Sequence, residues 1–178
     1  MEVVQTFFGQ ALLLDLAGYD DLRGPMRYLF REKNYQELGV PFTIKDLRSY
    51  VMKNTGTFFG IHYQGDDNPM GRIITVIQGS GEDYIVDLRP DSPTYLKWVQ
   101  NTLTAESKKA VYVPHGFGHA FISTEDNTIQ IYAASAYGGA GISKQLNYRE
   151  KKIGLVLPGP VTAIAEYDDK APYLDDLK

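Results

Sequence analysis

The chain has 178 residues, 43% hydrophobic and 22% charged, with a formal net charge of −4, enough for one well-buried domain over residues 1–178 and too few for two. The acidic balance argues against a nucleic-acid-binding surface, and the lack of any cysteine excludes a disulfide framework and a thiolate metal site. No run approaches the length of an apolar membrane span, and Met1-Glu2-Val3-Val4-Gln5 has no charged region leading into a long apolar core, so the expectation is a cytoplasmic protein with no membrane partner.

Ala11-Leu12-Leu13-Leu14-Asp15-Leu16, bounded by Gly9 and Gly18, reads as a short strand, and Asp20 to Pro25 as a turn by composition. Leu29 to Leu38 carries helix-forming residues and stops at Gly39, with Pro41 beyond. From Phe42 the pattern becomes one of strands. Phe42 to Met52 alternates loosely, followed by Thr57 to Gln64, Arg72 to Ile77 and Glu82 to Leu88. Lys97 to Leu103, Ala110 to Val113, Gly118 to Ser123 and Thr128 to Ala134 then come at short intervals. Leu155 to Lys178 looks irregular, with an acidic end. Regular short strands with Gly and Pro between them predict an all-β sandwich or barrel, the jelly roll of the cupins among them.

Two stretches carry candidate chemistry. In Thr57-Phe58-Phe59-Gly60-Ile61-His62-Tyr63-Gln64, a strand delivers a histidine among aromatic neighbours. In an apolar cavity the pKa of His62 can be moved through the physiological range, as a general base requires. The plainer alternative is a core histidine satisfied by hydrogen bonds. In Val113-Pro114-His115-Gly116-Phe117-Gly118-His119-Ala120-Phe121, a Pro/Gly turn sets a histidine on an apolar strand. The spacing of Pro114, Gly116 and His119 is similar to the second cupin motif. A metal does not follow: His62-Tyr63-Gln64 lacks a second histidine two residues on and a nearby glutamate, and two histidines with an amide suit neither zinc nor iron.

The chain also resembles, from about Ala11 to Asp175, the dTDP-4-dehydrorhamnose 3,5-epimerase family, metal-independent cupin-fold enzymes of deoxysugar biosynthesis. The resemblance rests on Asp21-Leu22-Arg23-Gly24, Gly60-Ile61-His62-Tyr63-Gln64 and Val86-Asp87-Leu88-Arg89 through Ser92-Pro93-Thr94 to Lys97-Trp98. It continues in Pro114 to Phe121, Tyr132 and Asp168-Asp169-Lys170-Ala171-Pro172. It implies a cupin-type double-stranded β-helix, a homodimer, no cofactor and a nucleotide-sugar substrate, dTDP-linked in the family. By the same resemblance His62 is the base and Asp168 its partner, Tyr132 the acid on the opposite face, and His119 a polar wall. Arg23 would hold the diphosphate, Tyr137 would stack on the nucleobase, and Gln64 counts among the substrate-binding positions. Without the resemblance, Tyr132 would be an aromatic packed in its strand and Asp168 a solvated charge in an acidic tail.

The sequence departs from the family around the ligand. Phe59 stands where the family has an arginine, and Arg72 where it has a lysine near the enolate, keeping the charge with a different donor geometry. Met26 and Tyr28 replace an aromatic residue and a glutamate, and Lys45 and Leu47 fall where a glutamine and an asparagine would contact the ligand. These changes point to a different 4-keto nucleotide sugar, or to inversion at only one of C3 and C5. The rival readings are a non-catalytic sugar-nucleotide binder and, further off, a metal-dependent cupin enzyme.

Overall fold

The computed structural model describes residues 1–138 and 142–177. In chain order the strands are β1 (Glu2–Phe7), β2 (Ala11–Asp15), β3 (Gly18–Asp21) and β4 (Gly24–Arg27), then helix α1 (Glu32–Glu37). There follow β5 (Asp46–Met52), β6 (Thr57–Tyr63), β7 (Arg72–Gln78), β8 (Ser80–Asp87) and β9 (Trp98–Thr104). The last are β10 (Lys109–Val113), β11 (Phe117–Ser123), β12 (Thr128–Ala134), β13 (Lys144–Gln145), β14 (Ala163–Ile164) and helix α2 (Glu166–Asp169).

Two sheets face each other. One runs β1-β2-β10-β7-β12-β5; the other runs β13-β6-β11-β8-β9, with β14 parallel to the start of β6. This is the expected cupin-type jelly roll. Its core lies between the sheets, where Leu13, Ile74, Val76 and Val111 meet Ile85, Leu103, Phe117 and Phe121. The alternate residues of each sheet are also covered. Leu12, Leu14, Leu16 and Ile73 pack under Tyr35, Val40 and Phe42 of the α1 region. On the other sheet, Phe58, Tyr84, Val86 and Ile122 pack under Leu146, Ile153 and the segment that follows. That double cover explains the unbroken apolar run of β2 and the complete burial of β8.

Some elements differ from expectation. The Asp20–Pro25 turn is the tip of the β3–β4 hairpin, with all of β3 exposed. The helix is shorter than the Leu29–Leu38 stretch, and Glu2–Phe7, with almost every residue exposed, is a strand paired to β2. Leu155 onward is mostly irregular, but it carries β14 and α2; the Tyr84 hydroxyl pins it to its sheet by donating to the Val156 carbonyl at 3.1 Å, and just before it Trp98 Nε1 donates to the Ile153 carbonyl at 3.1 Å.

The Asp87-Leu88-Arg89 to Thr94 motif is a stapled turn. Asp87 accepts from Arg89 Nε at 2.8 Å, Ser92 Oγ at 2.6 Å and Thr94 Oγ1 at 2.6 Å.

Candidate active site

The site begins with Gly60. Its φ is +119°, and a Cβ there would stand 2.6 Å from the Cβ of Ala120 and 2.7 Å from the His119 carbonyl. Only glycine lets β6 pass so close to β11 in this conformation. The β6–β11 ladder changes register here: His62 lies opposite His119, and Phe59 opposite Phe121. Residues three apart in a regular strand point to opposite faces, so it is this irregularity that turns both Phe59 and His62 into one cavity.

His62 Nε2 lies 2.6 Å from Asp168 Oδ1, and the Gly60 N–H donates to Asp168 Oδ2 at 3.3 Å. Asp168 is fully buried and belongs to α2, which the Asn147 amide holds in place through the carbonyls of Asp169 (3.2 Å) and Ala171 (3.0 Å). A carboxylate on one ring nitrogen orients the imidazole and leaves the other nitrogen to take a proton. His119 has a carboxylate of its own, with Nε2 2.6 Å from Asp83 Oδ2 on the neighbouring strand β8. Tyr167, beside Asp168, stacks near the His62 ring at a centroid distance of 6.2 Å.

The facing sheet supplies the opposite wall. Tyr132 on β12 lies opposite Arg48 on β5, and Gln130 opposite Tyr50. Together the two sheets line a cavity of about 310 Å³. Most of its lining falls in two rungs, His62, His119, Tyr132 and Arg48 in one, and Phe59, Phe121, Gln130 and Tyr50 in the next; Ser143, Gln145 and Tyr167 complete it. Burial pushes the Tyr132 hydroxyl above its ordinary pKa, with Arg72 and Arg48 pulling against that rise, so the group carries its proton at neutral pH. Arg48 is held by Asp46 and donates to the Gly138 carbonyl at 2.9 Å. Arg72 is 1% exposed and donates to the carbonyls of His62 (3.0 Å) and Phe117 (2.5 Å). Among the described residues no carboxylate pairs with it, and its charge acts on the neighbouring Tyr132.

The structure brings His62, Asp168, His119 and Tyr132 together as expected from the sequence, with Arg72 behind them. The other expected positions lie elsewhere. Lys45 and Tyr137 share a second, more open cleft with Asn68, Ser135 and Ile142. Gln64 stands between the two, donating to Ser143 Oγ at 2.8 Å and accepting from Asn68 at 3.4 Å. Leu47 points away, 62% exposed. The residues of that stretch that line this cavity are Arg48 and Tyr50. Arg23 sits at the exposed tip of the β3–β4 hairpin, paired to Asp21 at 2.6 Å, and does not line this chain's cavity. Sequence reasoning also missed Asp83, Gln130 and Tyr167. The one available signal for Asp83 was its place in the strand beside His119. Among the described residues, no group of three or more His, Asp and Glu side chains has metal-binding geometry.

A histidine on one sheet, paired with a buried carboxylate and facing a protonated tyrosine on the other sheet, defines a jelly-roll protein with a site suited to moving protons across a bound ring. A family profile described as dTDP-4-dehydrorhamnose 3,5-epimerase matches residues 5–176. The chain is 29% identical over 178 residues to a dTDP-4-dehydrorhamnose 3,5-epimerase of Salmonella typhimurium, covering 98% of this chain and 96% of that one. The crystal structure of dTDP-4-dehydrorhamnose 3,5-epimerase from Bacillus anthracis with TDP and PPi bound matches at a TM-score of 0.93 and 29% identity, covering 97% of this chain and 99% of that one. A 3'-monoepimerase from Streptomyces bikiniensis in complex with dTDP-quinovose matches at 0.84 and 27%, covering 93% and 84%. The chain belongs to the dTDP-4-dehydrorhamnose 3,5-epimerase family and is a carbohydrate epimerase of deoxysugar biosynthesis.

Proposed function

We propose that the protein epimerises a dTDP-linked 4-keto-6-deoxy sugar at C3, C5 or both, by proton transfer alone. The observation that carries this reading is the placement of the His62–Asp168 pair and Tyr132 on opposing sheets of one cavity. A C4 ketone acidifies the hydrogens on C3 and C5. His62 takes one as a proton and leaves an enolate; Tyr132 returns a proton to the same carbon from the other face. His119 and the carboxylate-free charge of Arg72 stabilise the oxyanion, where a preorganised cation in a desolvated site has its largest effect. The tyrosinate and imidazolium then re-equilibrate with solvent, so the sum is an inversion with no redox change and no cofactor.

The second cleft, with Lys45 and the 67% exposed Tyr137, suits the nucleotide: the ring to stack on a base and the ammonium to meet a phosphate. The chain acts as a homodimer in the cytoplasm. Supporting the dimer, Val3 and Val4 of edge strand β1 are exposed, and the β3–β4 hairpin carries a fully exposed Leu22 beside Arg23. Such a hairpin lies over the partner's sheet edge and brings Arg23 to the diphosphate bound there.

The test is proton exchange. Incubation with dTDP-4-keto-6-deoxyglucose in D₂O is expected to place deuterium at each inverted carbon, read by NMR, so its position separates a single from a double epimerase. Binding of this nucleotide sugar without any exchange would favour the non-catalytic binder and overturn the proposal.

A further inference from the structure

The inner rung of the cavity, that of Phe59, Phe121, Gln130 and Tyr50, contains an amide that the reaction above does not use. Gln130 is 3% exposed, lines the cavity, and its side-chain nitrogen has no hydrogen-bond partner among the described residues. The β12–β7 ladder shifts register between Ile129 and Gln130, at the point where this side chain turns inward. Its neighbours on the rung are Tyr50, Phe59 and Phe121, and the Tyr50 hydroxyl already faces Arg48 at 3.4 Å. A buried amide donor without an acceptor costs about 1–3 kcal/mol, and a leucine or methionine would fill the same space without that cost. An unpaired, buried donor on a rung otherwise made of aromatic side chains is a binding group whose acceptor arrives with the ligand. A sugar drawn into such a pocket leaves water, and each hydroxyl it buries must find a partner.

We infer that Gln130 is a specificity-determining residue, its amide N–H donating to a hydroxyl oxygen of the sugar ring of the bound nucleotide sugar, one rung beyond Tyr132. The inference rests on the epimerase reading above and assigns the inner rung a choice among sugars rather than a part in proton transfer. Gln130 discriminates between rings that place a hydroxyl at this depth and rings that place a hydrogen there.

The test measures affinity, by calorimetry on the full chain, for dTDP and for dTDP-quinovose, which has no ketone and does not react. Wild type is compared with Gln130→Met, near in volume and lacking the donor, and with Gln130→Leu as a second apolar replacement. Both variants are expected to bind dTDP as wild type does and dTDP-quinovose about tenfold more weakly. Their melting temperatures should equal or exceed that of wild type, since an unpaired donor has been removed. A purely structural glutamine predicts shifted melting and unchanged sugar affinity. Variants that bind dTDP-quinovose as tightly as wild type, or that lose both ligands equally, overturn the inference. A wild-type protein that binds neither ligand and shows no exchange in D₂O removes the epimerase reading itself, and this inference with it.

Discussion

The cavity holds two histidine–aspartate pairs with the same 2.6 Å bond and very different surroundings. In each the carboxylate is completely buried, but the His62 side chain is 26% exposed and the His119 side chain 7%. Asp83 reaches His119 from the adjacent strand, as part of the sheet. Asp168 is brought to His62 from 106 residues away by a short helix, and it takes the Gly60 N–H as well. What separates the two is access. Proton transfer needs a nitrogen within reach of substrate, so in the proposed reaction the more exposed pair is assigned the role of base, and the enclosed pair that of a fixed polar wall near the developing oxyanion.

The sharpest way to break this comparison is to remove each imidazole in turn. His62→Ala is expected to lower kcat by about 10³-fold or more, and to abolish deuterium wash-in, since the other imidazole on its sheet, His119, is only 7% exposed and tied to Asp83. His119→Ala should lower kcat by about 10²-fold while leaving exchange measurable, the usual scale for one lost oxyanion contact. Equal losses of exchange in both variants would erase the distinction.

Replacing the carboxylates asks the same question more gently. Asp168→Asn keeps the shape but weakens the hold on the imidazolium, and kcat should fall some tens-fold with little change in KM. Asp83→Asn should leave kcat within about tenfold of wild type and instead lower the melting temperature by several degrees, because a buried polar network loses its match. A larger kinetic loss for Asp83→Asn than for Asp168→Asn would reverse the assignment of base and wall.

The same access explains what the sequence could reveal. The fold was legible because both sheets are covered on their outer faces, and the strands read as apolar runs between Gly and Pro turns. His62, His119 and Tyr132 were legible through their motifs. β5 was not. In Asp46-Leu47-Arg48-Ser49-Tyr50-Val51-Met52 the apolar Leu47 and Val51 point outward, while Arg48 and Tyr50 point into the cavity. A strand lining a polar cavity inverts the usual alternation, so the inward places of Arg48 and Tyr50 do not show in the pattern, and the expectation fell on Lys45 and Leu47 instead. Asp168 reads alone as a tail charge. Its burial depends on the Gly60 amide, His62 and Asn147, which come from distant parts of the chain. Gln130 carries no local signal.

A third buried carboxylate tests the comparison from outside the cavity. Asp87 shares β8 with Asp83, yet its partners are Arg89, Ser92 and Thr94 instead of a histidine. Burial alone would raise its pKa; the bonds from those three side chains outweigh burial and hold the carboxyl well below the usual carboxylate range. A carboxyl whose folded pKa is depressed stabilises fully above its unfolded pKa, about 3.9, and that stability drains away as the pH falls toward the folded value. Asp87→Asn is therefore expected to melt lower than wild type at neutral pH, with the gap closing as the pH is taken from about 5 toward 3. Its rate at neutral pH should be unchanged, because none of these partners reaches the reacting ring. Melting curves that stay parallel over that range would show that Asp87 does not hold the turn through its charge. A drop in rate would instead tie the turn to the position of Asp83, and the enclosed pair would then be more than a wall.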